Sequence, residues 1–431
     1  MSAAMRLPGF PNLAVGYMVN ELGNWLGEIA LAILVYEATG SAIATASLFV
    51  AMQFLPAFGT PLLVTRIETI PVRRSLTTLY VAEAACFAAL ALLATNESFS
   101  LAPILILAAL DGTSAASARS LTRAAAVEML TPANLLREGN SILNVGFTAG
   151  AAGGPALAGL IVAGAGEQAA LFGDAVSFLA MAVLIGCARG LRSHQHDADE
   201  GGFIQRVRDG ASYLRGQRAL RGVIAAQSLG FIFFALILPI EVVFAKGTLG
   251  SGDVGYGVLL ASWGVGMVLG SFLFAGLRQI PISGLLATST SAIGVAYLLT
   301  AVSPTLAVAC TASVLGGIGN GIQWVAMITT IQQLTADRYQ ARVIAVLESA
   351  GSAMPGIGFL LGGAIATLLS PRASYAVAGA GVLVVLGIAM FALRDADLTA
   401  IDKDSPPPDP MKDSEPPMIV TASAEPPTVL P

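Results

Sequence analysis

Residues 118–161 read ARSLTRAAAVEMLTPANLLREGNSILNVGFTAGAAGGPALAGLI. The stretch contains the end of one apolar run and most of the next, joined by a short segment around Arg119, Arg123 and Arg137. A run of roughly 20 mainly apolar residues is long enough to cross a hydrocarbon core about 30 Å thick. The stretch therefore predicts two membrane-spanning helices, joined on the side of the membrane where short basic loops remain.

Twelve such runs follow one another along the 431 residues, and we number them as spans 1 to 12. They lie at 12–36, 42–64, 75–95, 101–127, 139–163, 168–188, 220–244, 254–277, 282–302, 304–333, 343–369 and 373–393. If the spans alternate in direction, all of the 22 Lys and Arg residues except Lys246 and Arg372 fall on one side. Since short loops rich in Lys and Arg stay in the cytoplasm, we expect a multi-pass protein of the cytoplasmic (inner) membrane with both termini cytoplasmic.

The composition agrees with a protein that is embedded in the lipid bilayer. Charged residues make up 11% of the chain, against about 25% in typical soluble domains. We expect no nucleic-acid partner, because there is no basic domain or zinc-finger pattern. Cys86, Cys187 and Cys310 lie in different spans and indicate neither a disulfide framework nor a metal site. We expect no cofactor and no ATP hydrolysis, since a GxxxxGK[ST] loop is absent.

The spans predict an all-α membrane protein with two six-helix halves, 1–188 and 220–394, and we expect a monomer. Between the halves, the connection 189–219 is polar and then amphipathic, with Phe203, Val207 and Leu214 at helical spacing. That pattern is typical of a helix on the membrane surface. The tail 395–431 is acidic and rich in proline, and we expect it to be disordered.

Ionisable side chains inside spans cost about 2.5–3.5 kcal/mol each at the membrane centre, so each needs an explanation. In span 1, Tyr17, Glu21, Asn24 and Glu28 repeat at helical spacing and form one polar stripe. This stripe must face the bundle interior or a water-filled cavity. Other acids within spans are Glu83, Asp111, Asp174 and Glu241.

Three further stretches carry a resemblance to a known family. They are NELGNWLGEIALAILVYEATGSAIA from Asn20, GYGVLLASWGVGMVLGSFL from Gly255, and TTIQQLTADRYQARVIAVLESAGSAMPGIG from Thr329. Together with residues 118–161, they resemble the major facilitator superfamily, and within it the bacterial twelve-span drug and siderophore exporters. In this resemblance Gly150, Gly154, Pro155 and Gly159 correspond to the antiporter motif, and Arg66, Arg73 and Arg74 to the gate loop. Thr65 stands where that loop normally carries an Asp.

The resemblance implies that spans 1, 4, 7 and 10 line a central cavity. The candidate substrate-binding residues combine this with the polar and aromatic faces of the spans: Glu21, Asn24, Trp25, Gln53, Gln227, Phe231, Phe234, Asn320, Gln323 and Trp324. The candidates for proton coupling are Glu28, Asp111, Arg119 and Glu83. The alternative for these acids is a permanent structural role, held by hydrogen bonds or an Arg partner. For Asp174 we expect packing, for Glu241 an interfacial charge, and for Arg123 a side chain that reaches the headgroups.

These features together predict a secondary transporter, namely a proton-coupled exporter (antiporter) of an amphipathic or aromatic small molecule that works by alternating access. A uniporter, or a lipid or siderophore transporter of the same fold, is the alternative within transport. Two other classes stay open: a sensor that no longer transports, and a membrane-embedded lipid enzyme. We do not expect an enzyme, because no second acidic cluster that could hold a metal follows Asp111.

Overall fold

The computed structural model describes residues 3–67, 70–95, 99–188, 203–277 and 280–393. Within these ranges all regular secondary structure is helical, and there is no strand. Eleven helices are long and apolar enough to cross a membrane. One of them, Leu136–Cys187, has 52 residues and breaks at Gly166, whose φ of 84° is in the left-handed region that favours glycine. Divided there, it supplies spans 5 and 6, so the prediction of twelve spans is confirmed.

The helices of the first half are Phe10–Thr39 (span 1), Ala42–Phe49, Val50–Phe54 and Pro56–Ile67 (span 2), Val72–Ala94 (span 3), Leu101–Leu130 (span 4) and Leu136–Cys187 (spans 5 and 6). Those of the second half are Arg218–Ala235, Leu238–Ile240 and Val243–Thr248 (span 7), Gly252–Gly276 (span 8), Ile282–Val302 (span 9), Leu306–Leu334 (span 10), Asp337–Leu368 (span 11) and Pro371–Leu393 (span 12). Spans 2 and 7 each include one wide turn of π-helix, at 50–54 and 243–248.

Local sequence determines where span 1 ends and span 2 begins. Gly40 follows span 1 with a φ of 59°, and its N–H donates to the carbonyl of Tyr36. The hydroxyl of Ser41 then accepts a hydrogen bond from the N–H of Ala44 at 3.3 Å, which caps the next helix. The tight connection returns the chain antiparallel to span 1.

Two main interfaces join the six-helix halves. Span 5 packs along span 8, and span 2 packs along span 11. Within the first half, spans 1 and 3 both pack on the helix of spans 5 and 6. Within the second half, span 10 packs on spans 8 and 9. Relative movement of the halves would therefore act mainly at two lines of contact.

We call the end of the bundle that carries Arg6, Arg66 and Arg119 the basic end, and the other the opposite end. The helix Phe203–Gly216 lies at the basic end, where the Tyr213 ring stacks on Tyr339 at the start of span 11, with 4.2 Å between ring centroids. Arg342 Nε lies 3.9 Å from the Asp209 carboxylate. The connection 189–202 and the tail 395–431 are outside the described residues, and the division of the chain at 188, 219 and 394 stays a prediction.

Candidate functional site

A cavity of about 1710 Å³ lies between the two halves. It reaches Val127 on span 4, Asn140 on span 5, Val223 on span 7 and Leu393 on span 12. All four residues lie within a few positions of the helix ends at the basic end. The cavity therefore opens towards the basic end, and its volume exceeds the roughly 300–1,000 Å³ that is usual for sites of drug-sized molecules.

The opposite end is closed by contacts between the halves. Phe49 of span 2 packs on Phe359 of span 11, with 5.7 Å between ring centroids. On the other interface, a Cβ placed on Gly159 would lie 2.7 Å from the Asp253 carbonyl oxygen and 3.1 Å from Gly257 Cα. Glycine at Gly159 and Gly257 is thus required for the backbones of spans 5 and 8 to approach this closely.

An ion-pair network adds to this closure. Lys246 of the second half pairs with Glu37 of the first half and with Asp253 at the start of span 8. The Lys246 ammonium group donates hydrogen bonds to Glu37 Oε1 and Asp253 Oδ1. One cation therefore joins a carboxylate of each half.

Seven of the predicted substrate-binding residues line the cavity: Gln53, Gln227, Phe231, Phe234, Asn320, Gln323 and Trp324. The Gln323 amide nitrogen donates to the Gln227 amide oxygen at 2.9 Å, which links spans 10 and 7. The Trp324 side chain is 47% exposed. This part of the wall offers apolar and aromatic surface with a few amides that can orient a ligand.

The other three predicted substrate-binding residues, Glu21, Asn24 and Trp25, are not on the cavity wall among the described lining residues. Span 5 covers this face of span 1, because Gly150 packs beside Glu21 and Gly154 beside Trp25. Of the polar stripe, Tyr17 lines the cavity, and its side chain interacts with Glu21. The stripe thus faces the bundle interior, and only its first member reaches the cavity.

The four residues predicted to form the antiporter motif serve two interfaces. Gly150 and Gly154 let span 5 approach span 1 within the first half. Gly159 and the carbonyl of Pro155 instead contact Gly257 of span 8 in the other half. A second close approach joins the Ala151 carbonyl to Gly264. Gly257 and Gly264 are seven residues apart in the span 8 sequence, a repeat that matches two turns of helix and that sequence reasoning missed.

Three buried carboxyls form a cluster inside the first half. Glu83, Asp111 and Asp174 are 1%, 5% and 0% exposed, and Glu83 lies within electrostatic range of the other two. Ser177 donates to Asp174 Oδ1 at 2.9 Å. Glu83 Oε1, Asp111 Oδ1 and Asp174 Oδ2 have no hydrogen-bond partner among the described residues. Buried polar atoms without partners are rare in native proteins, so this cluster is a candidate for a role beyond packing.

Arg119 connects this cluster to span 1. Its guanidinium is exposed, yet it acts electrostatically on Glu83, Asp111 and the half-buried Glu28. The structure thus brings together the four residues predicted for coupling. None of them is among the described residues that line the cavity, so they lie behind its wall.

Glu241 differs from its expectation as an interfacial charge. It is 8% exposed and lies within electrostatic range of Glu28 across the closed opposite end. Tyr256, Tyr297 and Tyr375 surround it within the second half. Glu241 precedes the π-helical turn Val243–Thr248, which carries Lys246.

Two sets of arginines lie at the basic end. Arg66, Arg73 and Arg74 of the predicted gate loop are all exposed, while residues 68 and 69 between them lie outside the described residues. Arg123, expected to reach the headgroups, instead lines the cavity mouth. The position of Arg123 one helical turn beyond Arg119 is the only signal for this in the sequence.

Comparisons with known proteins agree with this geometry. The family model described as "Transmembrane secretion effector" matches residues 2–423. No curated protein matches the chain. Among solved structures, the nucleoside transporter NupG has a TM-score of 0.73 and 10% identity, covering 90% of this chain and 99% of its own. At such identity the likeness establishes the fold, and it confirms the predicted major facilitator architecture.

Two other solved structures give the same result. A bacterial homologue of the human lysosomal transporter Spinster, inward-facing and unoccupied, has a TM-score of 0.72 at 11% identity and covers 91% of this chain and 98% of its own. A bacterial homologue of the iron transporter ferroportin, inward-facing, has a TM-score of 0.69 at 15% identity and covers 91% of this chain and 99% of its own.

Proposed function

Since the chain belongs to the transmembrane secretion effector family and is a membrane transporter of the major facilitator kind, we propose that it is a proton-coupled exporter of amphipathic or aromatic small molecules. The observation that carries this proposal is a large, mainly apolar cavity, open at the basic end and closed at the opposite end by packed glycines. Rocking of the two halves about spans 2, 5, 8 and 11 would expose the same cavity on the other side.

The direction of export depends on which end faces the cytoplasm. Short loops rich in Lys and Arg are retained on the cytoplasmic side, so the basic end is the cytoplasmic end in this proposal. The cavity described above is then open to the cytoplasm, where an exporter collects its substrate. The sequence pattern also resembles that of drug and siderophore exporters.

Proton coupling is supported by the buried carboxyls next to the cavity. An ionised carboxylate without a partner costs several kcal/mol when it leaves water. Glu83, Asp111 and Glu28 would lose or gain water as the halves move, so proton binding and release would accompany the transition. Because Arg119 lies on span 4 and interacts with these acids, it would couple their protonation to the position of the cavity wall that span 4 forms.

Transport itself is tested in proteoliposomes that hold the purified protein, with an aromatic amphiphile such as a fluorescent dye at equal concentration on both sides. We expect net movement of the dye only when a pH difference is imposed, and loss of movement when an ionophore collapses it. Movement that follows only the dye gradient would indicate the uniporter alternative. No movement with any member of an amphiphile panel would favour a sensor without transport.

Orientation is tested with single cysteines in a variant that lacks Cys86, Cys187 and Cys310. Ala38 at the opposite end and Ala133 at the basic end are both exposed, so accessibility does not bias the result. In intact cells, Ala38→Cys should react with a membrane-impermeant thiol reagent, and Ala133→Cys should react only after permeabilisation. The reverse pattern would contradict the cytoplasmic basic end and, with it, the export direction.

A further inference from the structure

We infer that the cavity selects amphiphiles with an anionic head group, and that Arg123 binds this group. The inference rests on the proposed transport function and specifies the class of its substrate. Arg123 is the one charged side chain among the described residues that line the cavity. No described acid shares the wall with it, so a cationic ligand would find no counter-charge there.

The electrostatic surroundings of Arg123 differ from those of Arg119. Arg119 acts on four acids, namely Glu21, Glu28, Glu83 and Asp111. Arg123 acts on Tyr17 and on Glu21, which lies behind Tyr17. Among the described residues no carboxylate is within ion-pair distance of Arg123. Its exposed guanidinium is thus available to a ligand, and guanidinium binds carboxylates and phosphates through two parallel hydrogen bonds.

Polar groups surround Arg123 on the same wall. Asn140 and Asn144 are one helical turn apart on span 5, and both are exposed and line the cavity. Thr122 and Tyr17 line the same side. The two amides can donate hydrogen bonds to the remaining oxygens of an anionic head group, whereas the Thr122 hydroxyl is already paired with the Tyr80 hydroxyl at 3.0 Å and the Tyr17 hydroxyl interacts with Glu21.

The opposite wall is mainly apolar. Phe231, Phe234 and Met327 line it beside the amides of Gln227 and Gln323, and none of these side chains carries a charge. Between spans 5 and 8, the cavity edge near the basic end is formed by Val145 and Phe272, which are 59% and 75% exposed. Between the basic end and the close contact of Ala151 with Gly264, the cavity therefore has an apolar rim. This rim suits the hydrocarbon or aromatic part of a ligand.

A matched pair of probes tests this assignment: dodecanoate and dodecyltrimethylammonium, which share a chain length and differ in the sign of their head group. Binding of each radiolabelled probe to the purified protein in lipid nanodiscs is measured below its micelle concentration, with binding to empty nanodiscs subtracted. We expect dodecanoate to bind at least tenfold more tightly. Acetate, the head group alone, should not compete at equal concentration.

Arg123→Gln should weaken dodecanoate binding about tenfold, the value of one charge-assisted contact of about 1.4 kcal/mol, and should leave the cationic probe unaffected. Arg123→Lys should retain part of the affinity, which also shows that the site folds. The matched control is Arg215→Gln, an exposed arginine at the basic end outside the cavity, which should bind as the unaltered protein does.

Tighter binding of the cationic probe, or unchanged dodecanoate binding in Arg123→Gln, would overturn the inference and leave the export proposal standing. Binding of neither probe to the unaltered protein would also overturn it. The export proposal fails separately, in the dye-transport assay.

Discussion

A variant that carries both Glu28→Gln and Asp111→Asn is expected to lose uphill transport while it still exchanges substrate down a gradient. Both substitutions retain size and most hydrogen bonding but remove titration. Asp111 Oδ1 is buried and has no hydrogen-bond partner among the described residues. Glu28 is within electrostatic range of both Arg119 and Glu241. Removing the proton-binding groups should uncouple movement of the halves from the pH difference.

Each single variant should lower the rate of pH-driven dye export at least tenfold in the proteoliposome assay, equal to about 1.4 kcal/mol of activation free energy. Glu348→Gln is the matched control, because Glu348 is an exposed carboxyl on span 11 and should retain full export. Joint loss of expression and binding would instead indicate the structural role. Full pH-driven export by the double variant would exclude both residues, and Glu83 and Glu241 would be tested next.

Gly257→Val is expected to shift the protein towards a state that is open at the opposite end. A Cβ on Gly257 would collide with the Pro155 carbonyl and lie 3.1 Å from Gly159 Cα. Because backbone atoms cannot move aside as a flexible side chain can, spans 5 and 8 must separate there. Overpacking of this kind typically costs about 1–3 kcal/mol, which corresponds to a population change of roughly 5- to 150-fold.

Spin labels at Ala38→Cys and Val302→Cys measure this shift, since both positions are exposed at the opposite end, one in each half. The distance distribution should lengthen in Gly257→Val. Gly153→Val is the matched control, as a Cβ on Gly153 meets nothing within 4 Å, and its distances should stay unchanged. Equal distances in all three proteins would show that the glycine contact does not hold the opposite end closed.

The number of spans could be predicted from the sequence because the signal is local and additive. The length of an apolar run can be read along the chain. Compared with the thickness of the hydrocarbon core, that length decides whether the run spans the membrane. The break between spans 5 and 6 was also visible, since the turn at Gly166 falls between the predicted segments 139–163 and 168–188. The cavity residues Gln227 on span 7 and Gln323 on span 10 could be predicted for a related reason. Each is a polar side chain in an otherwise apolar run.

The sequence does not show which neighbouring helix covers each face of spans 1, 4 and 5. Periodicity shows that Tyr17, Glu21, Asn24 and Glu28 share one face, but it does not show which neighbour covers that face. Span 5 covers Glu21 because Gly150 lacks a side chain. Spans 1 and 5 can therefore approach so closely that a Cβ on Gly150 would lie 3.3 Å from Glu21 Cβ. The same limit applies to Arg123, which periodicity alone could place either at the headgroups or in the cavity.

The sequence by itself determined the class of protein, the twelve spans and the end that carries the basic residues, since apolar length and charge are properties of each segment. Only the tertiary structure decided that Gly159 meets Gly257, that Glu241 is buried near Glu28, and that Arg123 faces the cavity. These are pairings between segments distant in the chain. They depend on how closely backbones approach one another, and that distance is set by both partners together.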